Sequence, residues 1–312
     1  MKIATTTGDL DAYASSFSET VSLFKGTGFR HLDVNFYSSF VKPDDPLFGD
    51  DWTDIIDDML RRGEELGIDF VQAHSPNYNP FDPNADHERW LLAMNRSIEA
   101  CGRLGIPDMV VHSGISADIL YPAGREEYFR LNREFYSKLF PAMEKFGVHV
   151  LIENSAEANM GGRYFFMTGE EMRDFVEYVD HPLLQACWDT GHANMRGSDQ
   201  YQDILAMGSH LRAIHFQDNF GARDEHFAPF MGSLDIDAIM QGLLAVGYQG
   251  ALTFEANNLL KRAGSWPHPR LKSPSVTDRR LASPPLDLRI RAEAFLYEIG
   301  KSIFTAYGCY ED

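Results

Sequence analysis

Apolar residues along this chain fall into two alternating rhythms. Short β-branched or apolar runs are separated by longer stretches in which apolar positions recur at helical spacing, the mark of βα units around a parallel sheet. The pattern predicts strands at 2–6, 31–35, 70–74, 109–113, 148–154, 184–189, 213–217 and 251–255. Helical periodicity predicts helices over 17–25, 52–66, 87–104, 126–146, 169–179, 202–209, 236–246 and 286–307. Gly28, Gly67, Gly105, Gly147 and Gly247 each stand shortly before a predicted strand, where a helix stops most easily. Eight strands with as many helical segments fit a closed α/β (β/α)8 TIM barrel better than an open sheet. The length suits a single barrel domain over residues 1–312.

Loops preceding the strands are short, whereas several that follow them are long: 36–51, 75–86, 220–234 and a segment after the eighth strand. In a barrel, long loops after strands build the catalytic face. The last of them is also chemically distinct. Lys261 to Arg291 holds eight Lys or Arg against two Asp, with five of the fifteen prolines, so 261–285 is expected to be a basic, Pro-rich loop on that face. It reads first as an ordinary solvated loop, then as a protomer contact, then as a lid for an anionic substrate.

The ionisable residues fall where that face should be. AHSPNYNP ends the third strand at His74, VVHSG the fourth at His112, and VLIEN the fifth at Glu153. CWDTGH ends the sixth at Asp189, with His192 close behind. IHFQD ends the seventh at His215, followed by Asp224 and His226, and TFEANN ends the eighth at Glu255. Any one of these alone is an ordinary rim charge or a hydrogen-bonded core histidine. Together, two Glu, one Asp and one His in one barrel mouth are unfavourable unless a cation neutralises them, because unpaired charge in a partly dry site is costly. The expected cofactor is one divalent ion on Glu153, Asp189, His215 and Glu255. A carboxylate-rich set without Cys suits Mn²⁺ first, then Zn²⁺, Co²⁺ or Mg²⁺.

Charge narrows the partners. With 46 acidic and 28 basic residues the chain carries −18, a field that repels phosphate backbones, so no nucleic-acid partner is expected. No apolar run reaches the roughly 18–20 residues of a spanning helix, and MKIATTTGDLDAY contains no signal-like stretch. Three scattered cysteines without a CxxC pair fit a reducing compartment. The expectation is a cytoplasmic protein without membrane association, with a homo-oligomer open to it; the small sugar or polyol substrate is what the resemblance described next implies.

These motifs give the chain a resemblance to the xylose-isomerase-like TIM barrel superfamily, which holds sugar isomerases and epimerases, inosose dehydratases and endonuclease IV. The resemblance runs over nearly the whole chain and is firmest from Val148 to Asn257, through IEN, WDTGH, IHFQDN, DEHFAPFMGSLD and GYQGALTFEA. It implies a divalent ion held by Glu153, Asp189, His215 and Glu255, with Glu153 and Glu255 as the acid/base pair. In that chemistry a proton is abstracted beside a carbonyl to give an enediolate and is returned by a second carboxylate. His74, His112, His192, Asp224 and His226 then become contacts to substrate.

The resemblance also divides. The ligands of endonuclease IV's three zinc ions are matched here by His74, His112, Glu153, Asp189, His192, His215, Asp224, His226 and Glu255. The acidic charge, the HFAPFMG segment and the lack of basic and wedge residues for opening a duplex favour sugar chemistry. IENSAEANMGGRYF departs from the Asn–Arg stretch of ketose 3-epimerases, leaving Arg163 to supply a cation by another route. That departure keeps open a dehydratase or lyase on a keto-sugar or keto-inositol, including glycoside cleavage by β-elimination. A non-catalytic metal-binding subunit is the remaining alternative. Phe36, Tyr37, Phe40, Trp52, Tyr78, Phe81, Phe220, Phe227 and Phe230 lie on or beside the face, either as loop packing or as a platform for a sugar's C–H faces.

Overall fold

Parallel strands follow one another around the molecule and close on themselves. They are β1 (Lys2–Thr6), β2 (His31–Asn35), β3 (Asp69–His74), β4 (Asp108–Val110), β5 (His149–Glu153), β6 (Leu184–Asp189), β7 (Leu211–Phe216) and β8 (Ala251–Phe254), with β1 pairing to β8. This computed structural model describes residues 1–262 and 264–310, so positions 263, 311 and 312 of the expected domain and loop lie outside the described residues. The fold is the TIM barrel that the alternating rhythm predicts.

The outward faces of the strands and the inner faces of the helices make one large core. Leu32, Val34, Ile152, Trp188, Ile214, Leu252 and Phe254 are almost fully enclosed in it. Helices 52–66 and 87–104 end as expected: Gly67 and Gly105 take left-handed φ of 66° and 71° at the caps. The helix predicted over 126–146 is instead two, Arg125–Ser137 and Phe140–Phe146. Pro141 lacks the N–H that a continuous helix would need and sits in the first turn of the second. The expected strand 109–113 ends at Val110, so His112 belongs to the loop beyond β4. Thr190–Arg196, immediately after β6, is a short helix that periodicity does not predict.

Register decides what points into the barrel. Asn35 pairs with His74, Asp33 with Gln72, Val110 with Leu151, Glu153 with Cys187, and Asp189 with His215, which pairs with Thr253. Residues paired in this way face the same side of a sheet. The rings of His74 and His215, on strands three and seven, stack across the interior at 5.8 Å. Alternate strands supply successive layers of a barrel. His74, Glu153 and His215 thus share one layer. Asp33, Val110, Cys187 and Thr253 lie in the layer beneath. Val110, Leu151, Cys187 and Ala213 form a small separate apolar cluster there.

After β8, residues 261–285 contain no helix or strand among those described. Arg262 pairs with Asp11 at 3.3 Å, and Tyr13 Oη donates to Pro284 O at 2.7 Å, tying this segment to the β1 loop. Among the described residues no helix is long and apolar enough to cross a membrane.

Candidate metal centre

Six of the nine sequence-predicted residues converge at the C-terminal mouth of the barrel as two groups that share Glu153. Glu153, Asp189, His215 and Glu255 each bring one ligand-type atom within 4.8 Å of all the others, and so do His74, His112 and Glu153. The two oxygens of Glu153 divide between the groups. Oε1 lies 2.6 Å from His215 Nδ1, and Oε2 lies 2.8 Å from His112 Nε2. His215 Nδ1 is also 3.5 Å from Glu255 Oε1.

Position is enforced by neighbouring backbone and amide groups. Asp189 Oδ1 accepts from His192 N at 2.7 Å, so the carboxylate caps the helix Thr190–Arg196 as it faces the mouth. Asn154 Oδ1 accepts from Asp189 N at 2.7 Å, and Asn154 Nδ2 donates to Asp189 O at 2.9 Å. Thr190 Oγ1 does the same for Gln217, donating to its carbonyl at 3.0 Å and accepting from its N–H at 3.2 Å. Asp218 gathers the returning loop by accepting from Gly232 N at 2.8 Å and Leu234 N at 3.1 Å. The quoted motifs IEN, WDTGH, QDN and MGSLD are therefore one hydrogen-bonded frame. Asn154, Gln217 and Asp218 are framing positions that ligand counting misses, although each stands one to three residues beyond a predicted ligand.

Beside the ligand groups, His192, Asp224 and His226 form a chain. His192 Nε2 meets Asp224 Oδ2 at 3.0 Å, and His226 Nε2 meets Asp224 Oδ1 at 3.2 Å. Their Nδ1 atoms face backbone carbonyls, Asn154 O at 3.0 Å and Glu255 O at 2.8 Å, and must donate to them. A ring that donates from Nδ1 to a carbonyl and from Nε2 to a carboxylate is an imidazolium. Burial disfavours that charge, but Asp224 outweighs it and pushes His226 up to about 10; Asp189 and Asp224 together raise His192 well above its usual range. His226 also sits at φ 49°, an uncommon conformation for a side chain of this size, held by Asn258 N on its carbonyl at 3.1 Å.

The two glutamates differ. Burial pushes the Glu153 carboxyl up, but His215 and His112 against it prevail and hold it well below the usual carboxylate range. Burial raises Glu255 to about 7, only partly offset by His215 and His226. Burial, opposed by His192, also raises Asp189, and its Oδ2 has no hydrogen-bond partner. His74 is driven down to about 3 by burial and by His112, and since its Nδ1 donates to Ser75 O at 2.9 Å, Nε2 presents the lone pair. Cys187 reaches Glu153 and His215 within the same 4.8 Å, but burial pushes its thiol up to about 12 and keeps it a neutral neighbour.

Six of the nine predicted aromatics separate into two sets, and Tyr78, Phe81 and Phe227 are half-buried. Phe36, Phe40 and Trp52 are buried and pack the loops. Tyr37 stands edge-on to His74 and His112 at 5.3 and 6.1 Å, while Phe220 and Phe230 are exposed. Arg163 turns away to its own loop, its Nε donating to Met160 O at 2.6 Å.

The sequence profile of the family described as xylose isomerase-like TIM barrel matches residues 11–270. A ketose 3-epimerase from Arthrobacter globiformis is 25% identical over 186 residues, covering 55% of this chain and 60% of its own. A probable endonuclease 4 from Methanoculleus marisnigri is 30% identical over 169 residues, covering 49% and 56%. The chain spans about half to two thirds of the length of the curated relatives it matches. Among solved structures, D-psicose 3-epimerase with D-tagatose from Clostridium cellulolyticum H10 superposes with a TM-score of 0.71 at 16% identity, over 97% of this chain and 99% of that one. That likeness concerns the fold.

Proposed function

The chain belongs to the xylose isomerase-like TIM barrel family, and from that premise we propose that it is a divalent-metal-dependent sugar isomerase or epimerase. The observation that carries the reading is the convergence of Glu153, Asp189, His215 and Glu255 within 4.8 Å. The donor set fits an ion. Three carboxylates and an imidazole meet in an enclosed mouth, and Asp189 Oδ2 has no other partner. Oxygen-rich coordination with a single nitrogen suits Mn²⁺ first, with Zn²⁺, Co²⁺ and Mg²⁺ behind it. When bound, such an ion supplies Lewis acidity to a substrate carbonyl.

The chain's own groups do the remaining work. One of Glu153 and Glu255 takes the proton from the carbon beside the carbonyl, and the C–H electrons move toward the carbonyl oxygen. The other returns a proton, to the opposite face of that carbon in epimerisation or to its neighbour in isomerisation. The His192–Asp224–His226 chain sets two positively charged rings, their N–H groups held by Asp224 and backbone carbonyls, beside substrate oxygens, with His74 and His112 lining the other side. Tyr37 offers its ring to the C–H face of a sugar. The epimerase names among the relatives support this substrate class. We place the enzyme in the cytoplasm, without nucleic-acid or membrane partners, and treat a homo-oligomer as compatible with it.

Heavy water tests the reading. A ketose or keto-inositol turned over by the Mn²⁺-loaded protein should gain deuterium at the carbon that loses its hydrogen, and Glu153→Gln and Glu255→Gln should each abolish turnover. Loss of water or of an aglycone in the product would move the assignment to the dehydratase or lyase branch. One observation favours a second reading: the His74–His112–Glu153 group, together with the endonuclease-named relative, suits a further ion and phosphodiester hydrolysis. Metal-dependent incision of abasic duplex DNA would establish it in place of the sugar reading.

A further inference from the structure

One nitrogen of His215 is left over. Its Nδ1 faces Glu153 Oε1 and Glu255 Oε1, while Nε2 is buried with no hydrogen-bond partner among the described residues. A histidine that offers Nδ1 to an ion carries its proton on Nε2, and such ligands ordinarily donate that proton to a carboxylate, a carbonyl or a water. In the layer beneath, Asp33 has the complementary need. Its Oδ1 accepts from Gln72 Nε2 at 3.3 Å, and its Oδ2, fully enclosed, has no partner. A buried donor and a buried acceptor left bare are each unfavourable, because neither recovers the hydrogen bond it gave up with water. Both would be satisfied by one partner between them.

We propose that Asp33 is a positioning residue for His215, acting through one enclosed water that accepts from His215 Nε2 and donates to Asp33 Oδ2. The water fixes the imidazole as the Nε2–H tautomer with Nδ1 turned to the ion. The inference rests on the metal-centre reading given above. Two polar neighbours stand close by, the Thr6 hydroxyl beside the Asp33 carboxyl and the Cys187 thiol beside His215, and neither makes a hydrogen bond to Asp33 Oδ2 or His215 Nε2. Val110, Leu151 and Ala213 are apolar, and Thr253 Oγ1 is engaged with Gln72 Oε1 at 3.3 Å. Cys187 is a neutral thiol and a weak acceptor. Burial raises the Asp33 carboxyl to about 6, with His215 pulling the other way, as expected of a carboxylate that feels this ring. Asp33 lies below the ligand layer and does not touch substrate. An acidic residue in the middle of the strand HLDVN is its only mark in the sequence.

The test uses the full chain, Mn²⁺ as titrant, and ¹⁵N-histidine NMR of the protein loaded with Zn²⁺. Asp33→Asn and Asp33→Leu should weaken Mn²⁺ binding by about ten- to hundredfold, the range for lost outer-shell partners, with Leu the more damaging and Cys187→Ala close to wild type. In the unaltered protein His215 should show a slowly exchanging proton on Nε2, displaced or lost in Asp33→Asn. That NMR signature separates positioning from plain stability and holds even if both Asp33 variants fail to fold. Unchanged Mn²⁺ affinity in a folded Asp33→Leu, an Nδ1–H tautomer for His215, or an effect of Cys187→Ala equal to that of Asp33→Asn would overturn the proposal. If the wild type binds no Mn²⁺, or Asp189→Asn binds it as well as wild type, the metal-centre reading itself fails.

Discussion

Asn154 grips the backbone of Asp189 from both sides, donating to its carbonyl at 2.9 Å and accepting from its N–H at 2.7 Å. The pair joins the ends of β5 and β6, where two of the candidate ligands sit. A side-chain amide that closes two bonds in a buried place replaces a rung that the diverging strands can no longer make to each other.

Asn154→Ala should therefore act on stability and on the ion together. Two buried backbone groups lose their partner, at roughly 1–3 kcal/mol each, and Asp189 gains freedom. The expected result is a lower denaturation midpoint and weaker Mn²⁺ affinity in calorimetric titration. A variant that loses stability but binds Mn²⁺ as well as wild type would show that the grip does not tune the ligand.

Gly191, at the start of the helix that Asp189 caps, is required by contact. A Cβ there would clash with Gln217 Cδ, inside a buried amide that donates to Asp224 Oδ1 at 2.7 Å. Gly191→Ala should destabilise the fold by about 1–3 kcal/mol, as overpacking of an enclosed site does. Urea denaturation measures it, and a midpoint equal to wild type would mean that Gln217 can yield at no cost.

Asp9, Arg289 and Glu293 predict a pH dependence away from the mouth. One fully buried guanidinium lies 2.9 Å from Glu293 Oε1 and 3.4 Å from Asp9 Oδ1, and so faces two carboxyls. Burial, reinforced by Asp9, raises Glu293 well above its ordinary 4.5. The folded state thus holds a proton that the unfolded chain releases near 4.5, so this group's contribution to stability falls as pH rises from there toward the folded value. Glu293→Gln should flatten the slope of Tm against pH above the ordinary 4.5 and raise Tm at the alkaline end. Identical slopes in variant and wild type would reject the assignment.

Much of this was legible in the sequence for a physical reason. Inward and outward positions alternate strictly in β-strands, and ligands at strand ends are forced to one mouth, so His74, Glu153, Asp189 and His215 were visible as strand-terminal ionisable residues. The break at Pro141 was open to notice and outweighed by apolar periodicity on either side of it. The roles of Asn154, Gln217 and Asp218 were hidden because an amide or carboxylate that serves backbone groups of another strand has no local spacing rule. Asp33 was hidden differently: its meaning depends on which layer of the barrel it enters, and that follows from register across strands rather than from its own neighbours.

The shared glutamate gives the sharpest test of metal count. Glu153 is the only one of the nine predicted residues that belongs to both ligand groups, with one oxygen toward His215 and the other toward His112. Asp224 is occupied by two imidazolium rings and Gln217, and belongs to neither group. If one ion binds to Glu153, Asp189, His215 and Glu255, elemental analysis should find about one Mn²⁺ per chain, and chelation should lower Tm by removing the linkage energy, about 2.7 kcal/mol at a hundredfold excess over Kd. Glu153→Gln keeps size and removes charge, so it should weaken binding far more than Asp224→Asn. Two ions per chain, both lost in Glu153→Gln, would mean that the His74–His112 side is also a site. Three zinc ions, with equal loss in Glu153→Gln and Asp224→Asn, would carry the centre to the phosphodiesterase reading, because only then does the charge on Asp224 serve an ion instead of holding His192 and His226 in their charged form.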